Sequence, residues 1–144
     1  ACIGYSYAYR DFSVHEAGTW NFTESRRRNG NKMHGAFRTV LVSFIRAYGI
    51  RRVVAEDVSV NRYFYDMRRL SELRGILLEV CDSLGLPEPE FVNPAVLKNG
   101  RRGRHATKAQ MVVACKERYG IIPVDDNAAD ACHLFHYYIR RHRL

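Results

Sequence analysis

The sequence predicts an α/β fold, a mixed five-stranded sheet flanked by helices. Three observations carry that expectation. Residues 2–9 read as a strand, and 11–16 and 19–23 alternate apolar and polar side chains, the period of half-buried strands. Two stretches with helical apolar spacing follow, and between them a β-branched run ends in two acids, Arg52-Val53-Val54-Ala55-Glu56-Asp57. Helix-forming and strand-forming segments then alternate, which calls for crossover connections and parallel strands.

Taken in order, residues 2–9 read as a first strand. Residues 11–16 read as a second, Ala17-Gly18 as a turn, and 19–23 as a third antiparallel strand. Residues 25–34, rich in Arg, Asn and Gly, read as a polar loop. Phe37, Val40, Leu41, Phe44, Ile45 and Tyr48 predict a helix over 36–48, stopped by Gly49. The Glu56 strand comes next. A longer helix over 66–84 is apolar at Leu70, Leu73, Leu77, Val80 and Leu84, and Gly85 closes it. Pro87 and Pro89 break the chain before a short strand at 90–92. A basic, Gly-containing loop over 96–105 leads to a helix over 107–119 and a final helix over about 126–141. With no repeat and no low-complexity linker, a single domain over 1–144 is expected. Parallel additions to an antiparallel layer are the arrangement of the ribonuclease H-like fold.

A chain of 144 residues, 47% of them hydrophobic, can bury a sizeable core. Its net charge of +8 and isoelectric point near 9.6 favour an anionic partner, most simply nucleic acid. The charge is clustered at Arg26-Arg27-Arg28, from Lys98 to Lys108, and from Arg140 to Arg143. Cys2, Cys81, Cys115 and Cys132 form no CxxC pair and read as reduced, half-buried thiols. A zinc site is not expected, because His133 and His136 lack a second ligand pair at finger spacing. No apolar stretch reaches about 18 residues and no signal peptide is read. The expectation is therefore a cytoplasmic setting without membrane insertion.

An acid at the C-terminal tip of a strand faces the crevice where ligands of open α/β sheets sit. A lone buried carboxylate there would protonate, whereas a cluster of oxygen ligands holds a divalent metal. In the expected sheet the tip of the first strand neighbours that of the fourth, which sets Glu56 near Ser6. The run Asp125-Asp126-Asn127-Ala128-Ala129-Asp130 opens the last helix. Spacings of three (Asn127, Asp130) and four (Asp126, Asp130) put these oxygens on one face. Asp126 is also a plausible N-cap, so the run reads equally as an acidic helix start. His133 shares the face of Asp130 and reads as an edge of that site or as a boundary residue of the fold.

At this point the chain resembles the RuvC family of Holliday-junction resolvases, especially short phage-type members. Gly4-Tyr5-Ser6 matches a strand ending in Gly-hydrophobic-Asp, and Glu56 matches a strand ending in Glu. Leu70-Ser71-Glu72-Leu73-Arg74-Gly75 matches a Leu-x-x-(Ala or Leu)-Arg-Gly helix. Pro94 to Lys98 matches Pro-x-x-x-Lys, and Ala106-Thr107-Lys108 a small-x-Lys helix start. Asp126-Asn127-Ala128-Ala129-Asp130-Ala131 matches the acidic last helix. Each motif is weak alone, but their order across nearly the whole chain is specific.

The resemblance implies an endonuclease that resolves four-way DNA junctions as a homodimer, in recombination and repair, with two Mg2+ or Mn2+ ions about 4 Å apart. It assigns Glu56 and Asp130 as metal ligands directly and Asn127 at a position usually acidic, with Asp126 able to supply the charge. Lys98 and Lys108 would contact the scissile phosphate. Arg101, Arg102 and Arg104 would widen the phosphate track, and Arg26, Arg27, Arg28 and Lys32 would form a second one or a solvated loop. Tyr63 and Phe64 stand where the family stacks an aromatic on opened bases; Phe64 and Tyr65 could equally anchor the next helix in the core. The helix of Arg74-Gly75 pairs subunits in the family.

Ser6 is the departure, because the family carries Asp there and a hydroxyl is a weak, neutral ligand. Three readings stay open: an engineered inactive variant, a naturally inactive junction binder, or compensation by Asp11 or Asp57. The expectation is a chain that binds metal weakly and cleaves slowly or not at all. Alternatives to the resolvase are a non-catalytic branched-DNA binder and an enzyme that cuts RNA–DNA hybrids.

Overall fold

The computed structural model describes residues 2–8, 14–24, 30–59, 63–99 and 107–144, with only the backbone described at 14, 15, 30–32, 98 and 99. These residues form two compact units. One joins Ala1–Asn21 to Ala95–Leu144, and the other is Phe22–Pro94.

In the first unit, β1 (Cys2–Ala8) and β2 (Val14–Asn21) form an antiparallel pair in which Tyr5 lies opposite Gly18 and Ser6 opposite Ala17. The predicted Ala17-Gly18 turn is therefore mid-strand, and the two antiparallel strands expected over 11–23 are one. Gly18 serves a neighbour rather than a turn. A Cβ there would lie 2.6–2.9 Å from the Tyr5 phenol, so a larger residue would displace that ring from its place across the ladder. Tyr5 also stacks on Trp20 with ring centroids 4.9 Å apart, and its hydroxyl donates to Glu16 Oε1 at 2.8 Å.

Strand alternation leaves Gly4, Ser6 and Ala8 on the opposite face of β1. Against that hairpin packs α5 (Asp126–His142), and α4 (Lys108–Tyr119) packs in turn on α5. Cys115, Ala129 and Cys132 are fully buried at the centre, with Ala17, Val112, Tyr119 and Ile121 around them. Small residues on α5 permit this close approach. A residue left of α4 in sequence, Thr107, caps it with a reciprocal box to Gln110, and Gly120 at φ 67° ends it. The short helix α3 (Pro94–Asn99) occupies part of the stretch expected to be loop, with Pro94 at its first position, where a missing N–H costs nothing.

The second unit pairs α1 (Gly30–Tyr48) with α2 (Phe64–Ser83), and β3 (Val54–Glu56) with β4 (Glu90–Val92). The helix α1 starts inside the expected polar loop. Met33 is buried and extends the apolar ridge Phe37, Leu41, Ile45 back by one turn, which overrides the turn-forming sequence before it. Leu73, Leu77, Val80 and Cys81 are the buried positions of α2. Strands β3 and β4 are parallel, with Glu56 opposite Val92, as a crossover helix between them requires. Among the described residues the strands thus form two two-stranded sheets, not the predicted five-stranded one. The α/β class stands.

Candidate metal centre

The acidic run is held by a cap that the sequence places one residue late. Asp125, not Asp126, is the N-cap of α5: its Oδ1 accepts from Ala128 N–H at 2.9 Å and from the Thr19 hydroxyl at 2.6 Å. Capping by Asp125 leaves the half-buried Asp126 carboxylate for another partner, and its Oδ2 meets Lys108 Nζ at 2.8 Å. Thr19 and Asp125 are positioning residues that the spacing did not single out. Asp125→Ala is expected to cost about 1 kcal/mol of stability, read as a lower urea midpoint at unchanged slope.

The hydrogen bond from Lys108 holds the Asp126 carboxyl below its ordinary value of 3.8, and the same bond raises Lys108 above 10.5. A depressed acid contributes stability above its unfolded pKa and loses it as pH falls through the folded one. A raised lysine contributes below its unfolded pKa and loses it as pH rises through the folded one. The pair is therefore constant across neutral pH. Lys108→Gln should lower the urea midpoint slightly at pH 7, and the gap from the parent should close as pH falls below the Asp126 pKa. A gap that widens in acid would contradict the pairing.

Opposite this turn stands β1. An added Cβ at Gly4 would lie 1.9 Å from the Asn127 carbonyl oxygen, so the strand backbone sits directly against the first turn of α5. Ser6 is two residues further along the same face. Its hydroxyl is buried and has no hydrogen-bond partner among the described residues. Asn127 and Asp130 are half-buried, and Ala128 and Ala129 between them are fully buried.

Among the described residues, no three His, Cys, Asp or Glu side chains gather as a metal-holding group. The donors on the first turn of α5 are nevertheless all hard oxygens: two carboxylates and an amide, with the orphaned Ser6 hydroxyl on the facing strand. That set fits Mg2+ or Mn2+ in chemistry, with Lys108 already offsetting one of the two negative charges.

No family model matches the chain. It is similar to the crossover junction endodeoxyribonuclease RuvC of Solidesulfovibrio magneticus, 28% identical over 106 residues that cover 69% of this chain and 63% of that protein. It thus spans less than two thirds of that relative's length. Among solved structures it matches T. thermophilus RuvC in complex with Holliday junction substrate, with a TM-score of 0.70 at 13% identity, covering 90% of this chain and 80% of the other. A Thermus thermophilus RuvC structure gives a TM-score of 0.63 at 15% identity, covering 91% and 80%. The chain is RuvC-like in sequence and in fold.

The residues that carry the resemblance fall on defined elements. Ser6 lies in β1, Lys108 opens α4, and Asp126, Asn127 and Asp130 lie in the first turns of α5, all in the first unit. Glu56 is the exposed last residue of β3 in the second unit. Lys98 is in α3 and Lys32 in α1, where only the backbone is described. Arg26, Arg27, Arg28, Arg101, Arg102 and Arg104 lie outside the described residues, as does Asp11.

Tyr63, Phe64 and Tyr65 are 66%, 68% and 75% exposed at the start of α2, so Phe64 and Tyr65 are not the core anchors that a helix start would permit. His133 is the converse case. It is 2% exposed, its Nε2 sits 2.7 Å from the Met111 carbonyl, and its ring meets Tyr119 edge-on. It is a satisfied core residue rather than the edge of a metal site. Cys2 is exposed, whereas the other three cysteines are buried thiols. No helix among the described residues is long and apolar enough to cross a membrane.

Proposed function

We propose that this chain is a RuvC-type endonuclease that recognises four-way DNA junctions and hydrolyses a phosphodiester with Mg2+ or Mn2+. The observation that carries this reading is the ordered set of RuvC motifs lying on a RuvC-like fold. The family likeness assigns Glu56, Asp126, Asn127 and Asp130 as the metal-holding residues, with Ser6 at the position of a further acid. When bound, the ions would activate water and stabilise the departing oxygen. Lys108, and Lys98 by the same likeness, would neutralise charge developing on the scissile phosphate. The exposed Tyr63 and Phe64 offer flat faces to unpaired bases. The basic runs around 26–32 and 101–104 would bind phosphates irrespective of sequence. A homodimer would match the two-fold symmetry of a junction with two cut sites.

Two observations favour a second reading, a junction binder without activity: position 6 carries a hydroxyl with no ligand charge, and Lys108 already pairs with Asp126. Four-way junction, linear duplex and RNA–DNA hybrid should be compared, each with Mn2+ and with chelator. Junction-selective, Mn2+-dependent nicking is the expected result. Junction binding unchanged by chelator with no nicking would favour the binder, and preferential cutting of the hybrid would overturn both.

A further inference from the structure

We infer that Arg74 is a positioning residue for Glu56. The inference rests on Glu56 being a metal ligand, as proposed above. Strand β3 is three residues long, and Glu56 is its last, so pairing with β4 alone leaves the tip weakly fixed. Three contacts extend its anchorage by one residue. The Asp57 N–H donates to the Val92 carbonyl at 2.8 Å, continuing the ladder past the strand end. Asp57 Oδ1 accepts from Val58 N–H at 2.9 Å and from Arg74 Nε at 3.2 Å. The Arg74 guanidinium in turn lies 3.9 Å from the centroid of the Phe91 ring, on β4 opposite Ala55.

One planar cation from α2 thus bridges a ring on one strand and a carboxylate just beyond the other. Strand alternation places Ala55, Phe91 and Asp57 on the face that Arg74 covers and turns Glu56 to the other face. Arg74 therefore acts on Glu56 through the backbone. Arg74 and Asp57 are 38% and 42% exposed, and ion pairs this open add little to stability. Their consequence is the direction in which the tip presents its acid. Asp57, an acid that could have compensated for Ser6, is engaged in this clamp.

Mn2+ binding by the full chain, followed through the paramagnetic resonance signal of the free ion, tests the assignment with Arg74→Met, Asp57→Asn and Glu56→Gln. Arg74→Met retains a stem over Phe91, and Asp57→Asn retains shape, so at least one variant remains folded. The two clamp variants should weaken Mn2+ binding about tenfold, with melting temperatures within about 3 °C of the parent. Glu56→Gln should weaken binding at least as much. Parent-like binding in both clamp variants, beside a loss in Glu56→Gln, overturns the role of Arg74 and leaves Glu56 a ligand. Weakened binding accompanied by a large fall in melting temperature in both clamp variants reduces the clamp to a fold contact and overturns it as well. Parent-like binding in Glu56→Gln removes the ligand assignment itself, and the inference falls with it.

Discussion

Ser6→Asp is expected to raise single-turnover cleavage of a four-way junction in Mn2+ by about a hundredfold or more. The reason is charge at one place. The first unit presents Asp126 and Asp130 on one helical face, and Lys108 offsets one of those charges at 2.8 Å. A hydroxyl at position 6 adds no charge, and affinity for hard cations depends strongly on how many charged oxygens surround them. The Ser6 hydroxyl is buried with no partner among the described residues, so a polar group is already committed to that position without a stabilising bond.

The same substitution makes a second expectation that does not depend on turnover. In chelator, a third carboxylate beside Asp126 and Asp130, where the RuvC likeness puts position 6, would repel its neighbours, so Ser6→Asp should melt below the parent. Adding Mn2+ binds the folded state and should recover that loss, giving a larger metal-induced rise in melting temperature than the parent shows. If neither cleavage nor the metal-dependent melting shift increases, position 6 does not belong to the metal centre. Failure of that kind would reach the functional reading, because the assignment of position 6 derives from the RuvC likeness.

Much of the candidate site was legible because its signals are local. Acids three and four residues apart on a helix share a face whatever surrounds them, and the helix expected over 107–119 is found at Lys108–Tyr119 with Thr107 as its cap. The strand over 90–92 was bounded by prolines and appeared where expected. Signals that depend on distant neighbours misled. Gly18 resembles a turn residue until Tyr5 is placed over it, and the polar residues before Met33 resemble a loop until Met33 joins a buried ridge. The choice between Asp125 and Asp126 as cap turned on Thr19, more than a hundred residues away in sequence. His133 illustrates the same limit. Its spacing from Asp130 suggested a site, but its partner is a backbone carbonyl on another helix, which no spacing rule can reveal.

Gly4→Ala should be the most damaging single-atom addition in the first unit. The new Cβ would sit 1.9 Å from the Asn127 oxygen, 2.3 Å from the Asn127 carbonyl carbon and 3.0 Å from Ala128 nitrogen. All three are backbone atoms, so no side-chain rotation relieves the clash. Either β1 slides against β2, or the first turn of α5 withdraws. Sliding opposes a register fixed from Cys2–Asn21 to Tyr7–Glu16, in which Tyr5 must stay over Gly18. Withdrawal opens the contact around Ala128 and Ala129, both fully buried, and strains the Thr19–Asp125 hydrogen bond. Overpacking of this kind costs about 3 kcal/mol, which in a chain this long lowers the melting temperature by roughly 10 °C. Since the displaced turn carries Asp126, Asn127 and Asp130, Mn2+-dependent cleavage in the Ser6→Asp background should fall with it. Circular dichroism melting checks the first effect. A midpoint within about 2 °C of the parent would mean that β1 does not approach α5 as closely as the geometry requires, and the packing of Gly4 against the acidic turn would have to be abandoned.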